Sequence, residues 1–299
     1  MQASAGPERR RAREGRLAIL LAAVAWSTAG LGQRGLDASA VTQVAGRAFF
    51  AALALLALVL AMERRGTMRA FLGMGRSGLA MTVFLAISSG AFLLALNHTS
   101  VANVLFMQAA APMMAALLGW VLISEPVDGR TWAALLLAGA GVAVMAAGSL
   151  DAGIAAVGLP LLMTASFAVV IVIARHRRDV SMMPATCASQ VLVVVVCAPF
   201  VTLGSVTGGD WAILAALGVG QMGLGLAFLT IGARLIPPAQ VALISLLEVV
   251  LGPLWVWLAY GERPSSATLV GGAIVVAAVV VQAVAPMPAG RGAASEAHV

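Results

Sequence analysis

The chain has 299 residues, of which 61% are hydrophobic and 10% are charged, and its formal net charge is +6. A soluble domain has about 25% charged residues, so this composition excludes an ordinary soluble globular protein. All of the basic residues are arginines, and because they are dispersed among apolar segments we do not predict a nucleic-acid-binding surface.

Ten long apolar segments follow one another along the chain and predict ten membrane-spanning helices. One span needs roughly 20 apolar residues, whereas strands of a membrane barrel alternate apolar and polar residues. The segments are continuous, and they cover residues 16–36, 40–62, 77–96, 101–123, 132–149, 154–174, 182–203, 211–234, 238–260 and 267–285. The first segment follows basic residues, as in a signal peptide, but no soluble domain comes after it. We therefore predict an uncleaved first span.

The arginines lie at alternate edges of these segments and predict the topology. Fifteen arginines fall in the termini and loops that an even number of spans places on the side of the N-terminus, whereas the loops of the other side contain Arg34 and Arg263. Basic short loops stay in the cytoplasm. We therefore expect both termini, residues 1–15 and 286–299, to be cytoplasmic tails of a protein in a bacterial inner membrane.

Two charged side chains, Arg47 and Glu248, stand well inside the predicted spans. A charge at the bilayer centre costs about 2.5–3.5 kcal/mol on insertion scales, so it usually faces a cavity or a partner. In a cavity, Arg47 would attract the carboxylate of a zwitterionic substrate and Glu248 its ammonium group. In the alternative interpretation, each is tied to polar neighbours, or they pair with each other, and they hold the bundle together.

Helical spacing places further polar groups beside Glu248. Gln240, Ile244, Glu248 and Gly252 recur every four residues, and Ser245 lies one turn before Glu248. Polar or aromatic residues elsewhere in or at the ends of the spans complete the candidate set: Trp26, Asn103, Gln108, Gln221 and His98. We predict that these residues contact substrate or water, with His98 and Glu248 as candidates for proton coupling. The alternatives are packing for Trp26, interhelical hydrogen bonds for the amides and simple solvation for His98.

The two halves of the chain repeat. At an offset of 137 residues, polar and aromatic residues of the fourth span meet similar ones of the ninth: Asn103 with Gln240, Gln108 with Ser245, Trp120 with Trp257 and Glu125 with Glu262. Each half has five spans, so the second copy has to be inverted in the membrane. We predict an all-α membrane protein with units at residues 16–148 and 154–285 around a central cavity, across which the polar faces of the fourth and ninth spans oppose each other.

Four stretches support a resemblance to a known family: AVAWSTAG at 23–30, VAGRAFF at 44–50, NHTSVANVLFMQAAAPMMAALLGWVLISEP at 97–126 and PPAQVALISLLEVVLGPLWVWLAYGERPS at 237–265. Together they resemble the drug/metabolite transporter superfamily, in its EamA-type branch of ten-helix carriers. The last stretch is similar to the amino-acid exporters called YddG. A common form of the family has proline directly after the glutamate, whereas this chain has Val249 there. The resemblance covers nearly the whole chain and implies export of small metabolites by alternating access, with apolar or aromatic amino acids as first choice.

Pro112 and Pro253 interrupt the fourth and ninth predicted spans, where they act as gates or as fixed bends, because proline removes a backbone hydrogen bond. Other function classes lack their motifs. Without lysine there is no P-loop, and we find no metal-ligand cluster and no convergent catalytic set. We therefore predict no enzymatic activity, no cofactor and no metal. The expected partners of a monomeric carrier are a small-molecule substrate and the lipid bilayer.

Several alternatives stay open on the sequence alone. Within the transporter class, the substrate is a drug, a sugar or a nucleobase instead of an amino acid. Energy coupling is either proton antiport through Glu248 or facilitated diffusion. Outside the class, an intramembrane enzyme would use Ser89 and His98, and a structural or sensor membrane protein would show no flux.

Overall fold

The computed structural model describes residues 5–63, 66–124, 129–176, 182–202, 204, 206–233, 235, 236 and 238–284. These residues are almost entirely helical, and none of them forms a strand. The helices, in chain order, are α1 (Ala5–Ser27), α2 (Ala29–Arg34), α3 (Ala40–Glu63), α4 (Thr67–Leu72), α5 (Gly75–His98), α6 (Val101–Ala109), α7 (Ala111–Ile123), α8 (Gly129–Ala147), α9 (Ile154–His176), α10 (Met183–Cys197), α11 (Gly208–Ala215), α12 (Gly225–Gly232), α13 (Pro238–Tyr260) and α14 (Ser266–Val284). A π-helical segment (Ala216–Leu224) joins α11 to α12.

Eight helical segments within the described residues are long and apolar enough to cross a bilayer, and two shorter apolar helices, Thr131–Ala147 and Ser266–Val281, accompany them. These two coincide with the predicted fifth and tenth spans. The all-helical membrane fold is therefore confirmed, and every predicted span falls on a helix or on consecutive helices.

The first span starts earlier than predicted and is broken near its end. α1 begins at Ala5, in the arginine-rich stretch, where Arg10 Nε lies 2.9 Å from Glu14 Oε1 one helical turn later. Thr28 alone separates α1 from α2, and its backbone keeps right-handed helical dihedral angles (φ −77°, ψ −7°). The hydroxyls of Ser27 and Thr28 each donate over 2.7 Å to a backbone carbonyl three residues earlier, so the backbone at the break retains hydrogen-bond partners.

Helix packing follows a pattern that relates the two halves. α3 packs against α10, and these are the second spans of the two halves. The third span of each half packs against the first span of the other, as α5 on α9 and α12 on α1. The fourth does the same, as α7 on α9 and α13 on α1. Such an exchange of partners is what a two-repeat architecture produces.

The fifth and tenth predicted spans meet at a pair of glycines. A Cβ atom on Gly141 of α8 would lie 2.6 Å from the carbonyl oxygen of Gly271 of α14, and one on Gly271 would lie 2.5 Å from that of Gly141. Only glycine permits so close an approach of two backbones, which is the packing that small residues provide in membranes.

The eighth span contains the π-helical segment, which the sequence did not predict as such. Its wide turns fall in a glycine-rich stretch. The backbone of α3 lies so close to Gly218 that a Cβ atom added there would be 2.8 Å from the carbonyl oxygen of Arg47. Close approach and local helix distortion are the two effects that the glycine cluster allows. Here both occur together.

Candidate functional site

Arg47 lies in a sealed polar cluster between α3, α5, α10 and the π-helical segment. It is 3% exposed, its Nη1 donates to Gln221 Oε1 over 3.0 Å, and its Nη2 donates to Ser89 Oγ over 2.6 Å. The Ser89 hydroxyl in turn lies 3.5 Å from Gln190 Oε1, and the Phe92 ring centre lies 6.0 Å from the guanidinium carbon. We call these residues the Arg47 cluster.

The Arg47 cluster therefore unites two predicted site residues, Arg47 and Gln221, but places them against each other. A substrate carboxylate would reach the two bound guanidinium nitrogens only by displacing Gln221 or Ser89. This geometry agrees with the interpretation in which Arg47 holds the bundle together. Ser89, the nucleophile of the enzyme alternative, hydrogen-bonds Arg47 and lies far along α5 from the exposed His98.

Glu248 has a different environment. It is 9% exposed and makes no hydrogen bond or ion pair with any described residue. The sealed side-chain atoms that lack a partner in the described chain are Gln33 Oε1, Arg47 Nε and Asn103 Oδ1. The Glu248 oxygens are not among them, so the carboxylate is unpaired yet not sealed. Arg47 and Glu248 do not pair with each other.

The contacts between α6 and α13 set the register around Glu248. Val101, at the start of α6, contacts Glu262 just beyond the end of α13, and Leu105 lies against Gly252. The two helices therefore run antiparallel. Continuing this register along both helices brings Gln108 level with Glu248.

Exposure rises along α13 towards its start. Gly252 is buried against Leu105, Glu248 is almost buried, and Ser245, Ile244 and Gln240 are partly exposed. We give the name α13 cleft to the stretch of α13 that carries Gln240, Ser245 and Glu248, together with Gln108 of α6. α6 and α13 contact each other at Gly252, because a glycine there leaves room for the Leu105 side chain.

The related positions in the fourth span are closed. Asn103, Val104 and Met107 are each at most 1% exposed. Their counterparts at offset 137, which are Gln240, Val241 and Ile244, are all partly exposed. In the most apolar window of each span, 50% of Val101–Leu122 is buried, against 22% of Leu243–Tyr260. Side chains are therefore more tightly packed where α6 begins, which we call the Arg34 end, than where α13 begins, which we call the Gln240 end.

Three predicted residues lie apart from the α13 cleft. Asn103 Nδ2 donates to Thr99 Oγ1 over 3.1 Å in the first turn of α6, and its Oδ1 is sealed. Trp26 is half-buried, and its ring packs directly against Gly225 of α12. His98 is exposed at the end of α5, with Nδ1 2.9 Å from Leu94 O.

The two prolines differ in their effect. α6 ends at Ala109 and α7 begins at Ala111 with Pro112 as its second residue, so the fourth span is interrupted as expected. α13 continues without a break through Pro253, where we expected an interruption. Proline removes a single backbone bond, and packing against α1, α2 and α6 holds α13 together around it.

From the sequence we did not predict Arg34 as a site residue, although it is one of the two arginines in the loops opposite the N-terminus. The structure joins it to Glu262, with Arg34 Nε 2.8 Å from Glu262 Oε2. Glu125, the counterpart of Glu262, lies outside the described residues. The predicted topology places Arg34 and Glu262 at the same end of the bundle, and this was the signal from which their pairing could have been predicted.

Two grooves of about 330 and 380 Å³ lie elsewhere on the described surface. The first groove is lined by apolar side chains of α3, α5, α9 and α10. The second groove lies between α3 on one side and α12 with Leu235 on the other. Neither contains a predicted site residue. The candidate site therefore remains the α13 cleft.

Comparison with known proteins supplies the context of this site. The model of the EamA-like transporter family matches residues 13–147 and again residues 154–283. A solved structure described only as "Crystal structure of protein" is similar with a TM-score of 0.64 at 21% identity, over 89% of this chain and 96% of that one. At that identity the likeness shows the fold alone. No curated protein matches the sequence.

Proposed function

This chain belongs to the EamA-like transporter family, and on that premise we propose that it exports amino acids, with aromatic or other apolar side chains first, across a bacterial inner membrane. Membership makes it a membrane transporter of small molecules. The observation that carries the substrate class is an unpaired Glu248 beside uncharged polar groups in the α13 cleft. The likeness of residues 237–265 to the YddG exporters supports the same class.

The α13 cleft offers a partner to each part of such a substrate. The Glu248 carboxylate accepts charge-assisted hydrogen bonds from an ammonium group. The side-chain amides of Gln108 and Gln240 and the Ser245 hydroxyl supply donors for a carboxylate. The partly exposed Ile244 and its apolar neighbours face the remaining side chain. Arg47 has no direct role in this proposal.

The open Gln240 end admits substrate to this site, and the closed Arg34 end blocks its exit. The arginine distribution predicts that the Gln240 end faces the cytoplasm. Under this topology the described conformation is the one that loads a substrate for export. Alternating access then requires the Arg34 end to open while the Gln240 end closes.

A second substrate class, organic amines and drugs, is favoured by a specific observation. The Arg47 guanidinium is engaged by Gln221 and Ser89, whereas Glu248 is free of protein partners among the described residues. The available charge in the spans is then negative, which suits a cation without a carboxylate. The two classes differ in one group only.

Counterflow in proteoliposomes separates these substrate classes. We expect labelled phenylalanine to exchange with internal phenylalanine, phenethylamine to compete weakly because it lacks the carboxylate, and N-acetylphenylalanine not to compete because its amine is blocked. Equal competition by phenethylamine would identify the protein as an amine exporter. No counterflow by either compound would contradict both classes. Repeating the assay with an imposed pH gradient separates proton antiport from facilitated diffusion.

Substitutions in the α13 cleft are expected to change substrate preference more than transport rate. Gln108→Leu removes an amide, and Ser245→Ala removes a hydroxyl, so polar competitors lose a hydrogen bond worth about 0.5–1.5 kcal/mol, or up to about tenfold in affinity. The measurement is the inhibition profile across a panel of amino acids. The control is Trp132→Phe. Trp132 packs edge-to-face against Trp120, away from the α13 cleft, so this variant is expected to keep the wild-type profile. Unchanged profiles in the two cleft variants would identify Gln108 and Ser245 as packing groups.

A further inference from the structure

The Arg34 end of the bundle is closed by a clamp in which every nitrogen of one guanidinium has a partner. Arg34 Nε donates to Glu262 Oε2 over 2.8 Å, Nη1 to Leu96 O over 2.7 Å and Nη2 to Thr99 O over 3.0 Å. The other carboxylate oxygen, Glu262 Oε1, accepts from the backbone N–H of Val101 over 2.8 Å. We propose that this Arg34–Glu262 clamp is the gate that closes the α13 cleft at this end, a role that rests on the proposed transport function.

The clamp joins the two halves of the chain. Arg34, Leu96, Thr99 and Val101 belong to the first half, and Glu262 belongs to the second. One side chain thus ties the end of α2, the link between α5 and α6, and the link between α13 and α14. These segments cannot separate unless the Arg34 side chain releases at least one of them.

The segment that carries Arg34 is a short helix, divided from α1 by Thr28. α2 has six residues and follows the break at Thr28. Besides the clamp, the Tyr260 hydroxyl donates to Leu31 O over 3.3 Å, so α2 is held against the end of α13. Before the break, Trp255 Nε1 donates to Ser27 Oγ over 3.0 Å and fixes the end of α1 to α13. Gly30 also packs directly against the Val101 side chain, so opening at this end needs release of the clamp and of the packing around α2.

The chemistry of the clamp depends on a guanidinium and not on positive charge alone. The Arg34 and Glu262 side chains remain 27% and 23% exposed, and an ion pair this exposed contributes little by charge attraction. A planar guanidinium presents donors in three fixed directions, which a lysine ammonium does not reproduce. The acceptors are also not interchangeable, because carbonyl oxygens accept only from the cation and the Val101 N–H donates only to the carboxylate.

Cysteine accessibility tests the gate without any need for a substrate. In a chain with Cys187→Ala and Cys197→Ala, the reporter Ser245→Cys sits in the α13 cleft and is labelled with a membrane-impermeant maleimide in intact cells. We expect Glu262→Gln to raise the labelling rate up to about tenfold, since the glutamine NH2 group cannot accept from Arg34 Nε or from Val101 N–H, and loss of one hydrogen bond shifts a two-state equilibrium by about that much. The same labelling in inside-out vesicles is expected to fall or stay unchanged.

Matched variants separate the clamp from a general loss of structure. Glu14→Gln removes the carboxylate of the Arg10–Glu14 ion pair on α1 and is expected to label like the parent. Arg34→Lys is expected to fall between the parent and Glu262→Gln. Exchange of the two residues, Arg34→Glu with Glu262→Arg, is not expected to restore slow labelling, because the carbonyl oxygens of Leu96 and Thr99 would then face a carboxylate.

Equal labelling of the Glu262→Gln and Glu14→Gln proteins from both sides would overturn the gate, as would full restoration by the exchanged pair. Fast labelling of Glu262→Gln in a protein that shows no amino-acid or amine counterflow would keep the gate and refute the proposed substrates. The two proposals therefore fail separately.

Discussion

Replacing Glu248 with glutamine is expected to lower amino-acid counterflow by about tenfold or more, because a charge-assisted hydrogen bond to the substrate ammonium is worth about 1.5–3 kcal/mol. The substitution keeps the size of the side chain, but it removes the charge and replaces one acceptor oxygen with an NH2 donor. Glu248 makes no hydrogen bond or ion pair with a described residue, so its replacement leaves no partner unpaired. Folding should therefore be preserved while binding is lost, which expression level and gel-filtration profile in detergent will check.

The same variant tests energy coupling. If Glu248 carries the proton, the flux that remains in Glu248→Gln is expected to be independent of an imposed pH gradient. Glu14→Gln, which also removes one acidic group but lies on the exposed face of α1, is the control and is expected to transport normally. Flux at the wild-type rate in Glu248→Gln would remove Glu248 from both substrate binding and coupling.

The second large effect is expected on stability, from alanine at Gly141 or Gly271. Each added methyl group would meet the backbone oxygen of the facing glycine, at 2.6 and 2.5 Å respectively, and backbone cannot move aside as a side chain can. Overpacking of this kind costs about 1–3 kcal/mol. We expect a clear fall in the apparent Tm of the purified protein in detergent for either substitution.

Gly139 provides the matched control, because it lies two residues before Gly141 on the same helix and points away from the contact face. A Cβ atom there would meet nothing within 4 Å. Gly139→Ala is expected to leave the Tm unchanged or to raise it, since alanine is favoured over glycine inside a helix by about 0.5–1 kcal/mol. A Tm for Gly141→Ala equal to that of Gly139→Ala would show that α8 and α14 separate easily at this point.

The helices were predictable because each span is a continuous apolar run whose length the bilayer dictates. The break at Thr28 was not, since Ser27 and Thr28 are as compatible with a continuous helix as with one that their hydroxyls interrupt. For the π-helical segment, the cluster of glycines was the one indication in the sequence. Pro253 shows the limit of proline as a signal, because surrounding helices decide whether a missing hydrogen bond becomes a break.

The candidate site was predictable as a set of residue types but not as a set of contacts. A buried arginine in a span needs partners, and the sequence offered Glu248, a substrate carboxylate or neutral amides. The structure supplies Gln221 and Ser89, which depends on how π-helical turns orient Gln221 towards α3. Asn103 and Gln240 occupy related positions, yet one is sealed and the other partly exposed. Sequence symmetry does not encode which half of a repeat protein is open.

Under the proposed gate, the short helix beyond Thr28 has the dimensions of a lever. Its pivot is held by the indole of Trp255, and its six residues give an arm of about 9 Å at 1.5 Å per residue. Swinging such an arm by about 30° displaces its tip by roughly 5 Å. Because Gly30 of this arm packs directly against the Val101 side chain, the reorientation barrier combines release of the tip with repacking of that contact.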